Sequence, residues 1–176
     1  QLQTLTENQL AIDNEGKVII VHHLNGPPAK PYGNDLLSQL VESSKVHTVE
    51  QTSGINSSQP TGINDPNISN GVGTGSIIKI NPEDIPSTTT TEGTFEKIPE
   101  QIVVGHELIH SSHIDIGKVQ PGTADPNGPN YDPDLGGGGT PMLNEEINTR
   151  GQENILRKEQ GVGKMRQVSV EKNIGI

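Results

Sequence analysis

Three of the six histidines fall in one eight-residue window, and two of them frame His106-Glu107-Leu108-Ile109-His110. On a helix, positions four apart lie about 40° apart around the axis and roughly 6 Å along it. Both imidazoles can then converge on one Zn²⁺, with Glu107 beside them on the open side of the metal. A zinc held there acidifies a water towards neutral pH. Glu107 can take that proton and hand it to a leaving amine.

A catalytic zinc needs a third protein ligand and an open fourth position. His113 shares the helical face of His106, but it sits about 10 Å further along an unbroken helix. No glycine between His110 and His113 lets the chain turn back, so His113 belongs to the surroundings of the metal or to the plain helix surface. The stronger source is Glu145-Glu146, the adjacent carboxylates in the next helical pattern. The competing assignment makes both of them ordinary helix charges, with Glu146 paired to Arg150 at i,i+4.

These residues need two helices to carry them. Pro99 suits the start of the first, which runs through Ile102, Val103, His106, Ile109, His110 and His113 and stops near Gly117. Thr140-Pro141 restarts a helix carrying Leu143, Glu146, Ile147 and Arg150, interrupted at Gly151 and resumed through Leu156 to Gly161. Upstream, Lys17–Leu24, Val46–Gln51 and Ser76–Ile80 read as strands, and Asn34 as the cap of a helix bearing Leu36, Leu37, Leu40 and Val41. Ser53–Gly75, Ser87–Gly93 and residues 118–139 are rich in Ser, Thr, Asn, Gly and Pro and read as loops. The expected architecture is a single α+β domain over residues 1–176.

Composition narrows the function. The chain has 176 residues, 22 acidic against 12 Lys and Arg, a net charge of −10, three aromatic residues and no Cys. An acidic, aromatic-poor chain is a poor nucleic-acid binder. Zero Cys excludes a disulfide framework and any Cys-ligated metal. No run of about 18 apolar residues exists to cross a membrane. The first ten residues, QLQTLTENQL, lack a Met, a basic stretch and an apolar stretch, and read as a trimmed boundary.

The two motifs together are familiar. HELIHSSHIDIG (106–117), followed after a long spacer by EEINTRG (145–151), resembles the clostridial neurotoxin light chains and, more closely, the NleD-type family of bacterial effector zinc metalloproteases. The second likeness extends to QENILRKEQG (152–161) and to GTGSIIKINP (73–82), and covers roughly Gly71 to Arg166. It implies a zincin-like domain, a small twisted sheet beside the two helices, and one zinc per chain held by His106, His110 and Glu146. Glu107 would be the general base. Glu145 would steady a ligand histidine, and Ser76, Ile77 and Ile78 would belong to an edge strand along which a substrate peptide lies extended.

Arg157 would be structural or help stabilise charge near the zinc, with a surface helix arginine as the plain alternative. The effector family places an Arg and then a Tyr after its last helix; here Arg166 is followed by Gln-Val-Ser-Val. Arg166, Tyr131 from the long loop, or zinc alone must then answer the developing oxyanion. The resemblance further implies a protease, secreted or injected by bacteria, that cleaves a protein in the target-cell cytosol; the oligomeric state is left open, with a monomer favoured.

Other polar features have simpler expectations. His22, His23 and His47 read as core or surface residues, the charges after Gly151 as a solvated face, and Asp125–Asp134 as a polar loop that misses the calcium-loop pattern. The functional alternatives are a binding module with a structural or relic zinc motif, and a zinc hydrolase acting on a non-peptide amide.

Overall fold

The computed structural model describes residues 1–23, 26–62, 65–123, 134 and 142–169. These form an α+β arrangement of small sheets and four α-helices. A short helix α1 (Leu2–Leu5) leads into an antiparallel hairpin of β1 (Gln9–Ile12) and β2 (Val18–His22). Helix α2 (Pro31–Glu42) follows, then β3 (His47–Gln51), β4 (Ser57–Pro60), a 3-10 turn at Pro66–Ser69, and β5 (Ser76–Ile80). A second hairpin, β6 (Ser87–Thr89) and β7 (Phe95–Lys97), precedes the helices α3 (Glu100–Ile116) and α4 (Asn144–Glu159).

Helix α3 is the central element because almost every face of it is covered. Ile102, Val103, Val104, Leu108, Ile109 and Ile114 are all buried, as expected of a helix enclosed on all sides. Pro99 caps its start, and Gly117 ends it in a left-handed turn at φ 66°. Helix α4 packs across it at Gly105, where a Cβ would lie 2.1 Å from Leu156 Cδ2. Only hydrogen at that position lets the two helices come this close. Leu5, Leu36, Leu37, Leu40 and Ile78 close the core from α1, α2 and β5.

Several expectations need correction. Ser76–Ile80 is not an edge strand: β5 is the middle of a three-stranded sheet, parallel to β3 and antiparallel to β4. Its alternating burial, with Ser76 and Ile78 inside, is that of a strand with one face covered. The edge beside α3 is β4, which lies inside the stretch expected to be loop. Asn34 sits within α2 and caps nothing there; its side chain accepts from Thr6 Oγ1 at 2.6 Å and from the Glu7 N–H at 2.8 Å.

The threonine run is not wholly exposed either: Thr88 and Thr90 are buried, Thr88 in the first strand of the second hairpin and Thr90 in the turn that joins its strands. Gly151 does not interrupt α4. A mid-helix glycine costs about 1 kcal/mol, and buried Thr149, Arg150 and Glu153 pin the turns on both sides of it. The proposed cap at Thr140-Pro141 lies outside the described residues, and α4 begins at Asn144.

Candidate metal centre

One turn of α3 puts His106 and His110 on the side that meets α4, and α4 opens with Glu145-Glu146. His106 Nε2 and His110 Nε2 are 3.1 Å apart. Glu146 Oε2 lies 3.4 Å from the first and 3.3 Å from the second. A tetrahedral ion with bonds of about 2.0–2.1 Å spaces its ligand atoms about 3.3 Å apart. The three atoms therefore already form one face of such a tetrahedron. They are the one group of three or more such side chains within metal-binding distance among the described residues.

Each imidazole is aimed from behind by its own carboxylate. His106 Nδ1 meets Glu153 Oε2 at 2.9 Å, and Glu153 is completely buried. Two guanidiniums hold that acid: Arg157 Nε at 2.6 Å and Arg166 Nη1 at 2.8 Å. His110 Nδ1 meets Glu145 Oε1 at 3.1 Å, and a hydroxyl, an imidazole and a backbone amide hold this second acid. Thr149 Oγ1 lies at 3.2 Å, His113 Nδ1 at 2.5 Å and the Gln120 N–H at 2.8 Å. Glu146 turns its other oxygen to Arg150 Nε at 2.9 Å. The i,i+4 pair and the metal-facing position are thus the same residue used twice.

The charges favour a cation. With His106 and His110 neutral, as metal ligands are, five carboxylates (Glu107, Glu145, Glu146, Glu153, Asp134) face three guanidiniums (Arg150, Arg157, Arg166), an excess of two negative charges. Burial alone would raise the pKa of Glu145, but donors from His110, His113 and Gln120 bring it down to about 2. Glu153 is likewise brought down to about 2, by His106 and by Arg166 and Arg157. Glu146 is held well below the usual carboxylate range by the two histidines and Arg150. His110, which burial would lower, is raised to about 9 by Glu145 and Glu146. The pocket stabilises positive charge at its centre, which a divalent ion would supply.

Glu107 differs from the others. It is buried, and its Oε2 has no hydrogen-bond partner among the described residues. Burial pushes its pKa up, against the pull of His106 and His110. Together with His106 and Arg166 it faces a cleft of about 240 Å³ with apolar walls from Ile55, Pro86, Ile98 and Val103. An unsatisfied carboxylate at the wall of a cleft can accept a proton from whatever enters.

A family model described as an effector protein, Peptidase_M91, matches residues 19–167, most of the chain and all of this site. The chain belongs to the Peptidase_M91 family. No curated protein and no solved structure matches it. Membership makes the M91 chain a peptidase-type effector, a kind of protein that is secreted or injected, and its substrate a protein. No helix among the described residues is long and apolar enough to cross a membrane.

Most residues singled out from the M91 sequence meet here: His106, Glu107, His110 and Glu146 at the centre, Glu145 behind His110, and Arg166 at the cleft. Arg157 is no surface arginine. It is buried, and it reaches the centre only through Glu153. Tyr131 lies outside the described residues, as do residues 125–133 of the polar loop. Ser76, Ile77 and Ile78 line the sheet's middle strand and not its edge. His113 stands beside Glu145, outside the ligand group. His47 is a core residue bonded to Ser76 and Asp115, and His23 pairs with Glu42 at the surface.

Sequence reasoning missed Glu153 and assigned the charges after Gly151 to solvent. The signal was available in the spacing: Glu146, Arg150, Glu153 and Arg157 recur at i, i+4, i+7 and i+11, which is one helix face.

Proposed function

We propose that this M91 peptidase is a zinc endopeptidase of the zincin type, with residues 1–176 forming one catalytic domain. It would act as a monomer on a protein of a target cell, in the cytosol, after secretion or injection by a bacterium. The observation that carries this reading is the triangle of His106 Nε2, His110 Nε2 and Glu146 Oε2, with edges of 3.1, 3.4 and 3.3 Å beside an unpartnered Glu107 oxygen.

Zinc in that triangle would supply Lewis acidity, polarising the scissile carbonyl and acidifying a water. Everything else falls to side chains of the chain itself. Glu107 takes the proton of the attacking water and delivers it to the leaving amine; its raised pKa suits both directions of transfer. The cleft wall of Ile55, Ile98 and Val103 excludes bulk water from that exchange. Arg166 brings a buried positive charge, fixed by Glu153 and Asp134, to the wall where the oxyanion develops. An extended substrate would pair with β4, whose second edge has no strand partner among the described residues.

The test has two arms. Metal analysis of the purified chain should return about one zinc per chain, since a catalytic site of this kind takes one ion; protein isolated without chelator at neutral pH and free of zinc would sink the reading. Glu107→Gln should keep the metal. New protein N-termini in a target-cell lysate should then depend on the wild-type chain, and identical profiles for both proteins would remove Glu107 from its role. Glu146→Ala should weaken zinc more than Glu145→Ala does, and the reverse order would reassign the third ligand.

A further inference from the structure

His113 is a buried, hydrogen-bonded histidine that the mechanism above does not use. It lies in the middle of a chain of hydrogen bonds that starts on α2 and stops at the metal triangle. The Tyr32 hydroxyl donates to Gln152 Oε1 at 2.6 Å. The Gln152 amide nitrogen donates to His113 Nε2 at 2.8 Å and lies 3.3 Å from Asn148 Oδ1. His113 Nδ1 then meets Glu145 Oε1 at 2.5 Å, the same oxygen that meets His110 Nδ1.

The directions of these bonds are fixed by chemistry. An ionised carboxylate can only accept, so His113 Nδ1 carries the proton towards Glu145. The Gln152 amide has its oxygen on the Tyr32 hydroxyl and its nitrogen 3.3 Å from Asn148 Oδ1, and in that orientation it donates to His113 Nε2. Burial keeps the Tyr32 hydroxyl protonated by pushing its pKa up, and so keeps it a donor to Gln152. Glu145 itself lies in the first turn of α4 and is only partly buried, so its place is set by the groups that bond its carboxylate. Its contact from His113 is the shortest of those it makes.

We infer that His113 is a positioning residue for the zinc site: backed by Gln152 and Tyr32, it pins the Glu145 carboxylate that aims His110 at the metal. The inference rests on the assignment of His110 as a zinc ligand. It ties α2, α3 and α4 into one support, so that ordering of α2 is felt at the metal.

The experiment compares His113→Asn with His113→Gln in the full chain. The Asn amide nitrogen falls where Nδ1 was and keeps a donor for Glu145; the Gln amide falls where Nε2 was and does not. Both variants lose the ring, so the melting temperatures of the two metal-free proteins should be similar. Zinc affinity, read by competition with a chromophoric chelator, should separate them. His113→Gln should bind zinc about 10- to 100-fold more weakly, the range for groups that orient a metal ligand, and His113→Asn within roughly threefold of wild type.

Equal affinity in the two variants would overturn the inference while leaving the zinc reading intact; a wild-type chain that binds no zinc would overturn both. A third readout needs neither variant to be stable. Long-range ¹H–¹⁵N correlation of the metal-free wild-type imidazoles should show His113 protonated at Nδ1 and bare at Nε2, and the opposite tautomer would overturn the inference.

Discussion

Helix α3 carries two buried carboxylates, Glu107 and Asp115, with almost the same small exposure, 6% and 5%. Their surroundings are opposite. Asp115 accepts from Ser43 Oγ at 2.6 Å, Gln39 Nε2 at 3.1 Å and His47 Nε2 at 3.2 Å, and pairs with Lys45 at 3.7 Å. Burial alone would raise its pKa, but these donors bring it below the ordinary value. Glu107 keeps an oxygen without a partner among the described residues, and burial moves its pKa up. Solvent exposure therefore does not separate the two acids; hydrogen-bond partners do. One end of the helix is a buttress against α2 and β3, and the other keeps unused hydrogen-bond capacity at the wall of a cleft.

The comparison breaks most visibly at Glu107. On the proposed mechanism, Glu107→Gln should lower turnover about 10²- to 10⁴-fold, the usual range for a positioned general base. Its urea midpoint should stay level or rise, because the amide ends the cost of a half-satisfied buried acid. A fall in stability as large as the loss of turnover would show that Glu107 is structural after all.

Asp115→Ala should do the reverse. It strips acceptors from Ser43, Gln39, His47 and Lys45 together, at a cost of about 3 kcal/mol in chemical denaturation. Zinc stoichiometry should be unchanged. Zinc lost in proportion to stability would mean that the two ends of α3 are not separable.

How much of this was legible follows the same division. The end with the proposed metal site was readable because zinc chemistry would demand fixed spacing: His106-Glu107-His110 on a helix, and an acidic pair opening the next one. The buttress was not, because Asp115 draws its partners from Gln39, Ser43 and Lys45, more than 70 positions away for the most part, and nothing local marks them. Strand β4 hid for another reason. Ser57-Ser58-Gln59-Pro60 pairs through its backbone and presents no apolar alternation, so its composition reads as loop. Ser58 nevertheless donates to the Glu107 carbonyl at 2.7 Å and fixes the sheet to the reactive turn. The role of Glu153 was lost because a buried carboxylate among arginines has the same letters as a solvated salt-bridge face.

Two glycines mark the two ends and give a smaller effect. Gly105→Ala drives a Cβ to 2.1 Å from the flexible end of Leu156 at the α3–α4 contact. Overpacking of that kind costs about 1–3 kcal/mol, and it should shift α4 and weaken zinc along with stability. Gly73→Ala sets a Cβ 1.8 Å from the backbone carbonyl oxygen of Asp115, at φ +72°. Thermal melting should register it, with zinc affinity unchanged in the molecules that remain folded. If both substitutions moved zinc affinity equally, the division of the helix into a reactive end and a buttress would be wrong.

The smallest effect is the most specific to Asp115. Its folded pKa lies below its unfolded value of about 3.9. The stability it contributes is therefore present above that unfolded value and is lost as pH falls through the folded one. Glu145 and Glu153, with pKa values of about 2, add their own losses in the same direction, so the acid limb of the wild-type chain alone cannot isolate it. Asp115→Asn can. The variant starts less stable near pH 6, where an amide replaces the charge that Lys45 and His47 meet, and it loses less as pH falls from about 5 because it lacks the proton that Asp115 takes up on unfolding. Urea midpoints for the two proteins should converge as pH falls. Parallel curves over that range would show that the donors around Asp115 stabilise its neutral form as well as its anion, and the contrast with Glu107 would then rest on geometry alone.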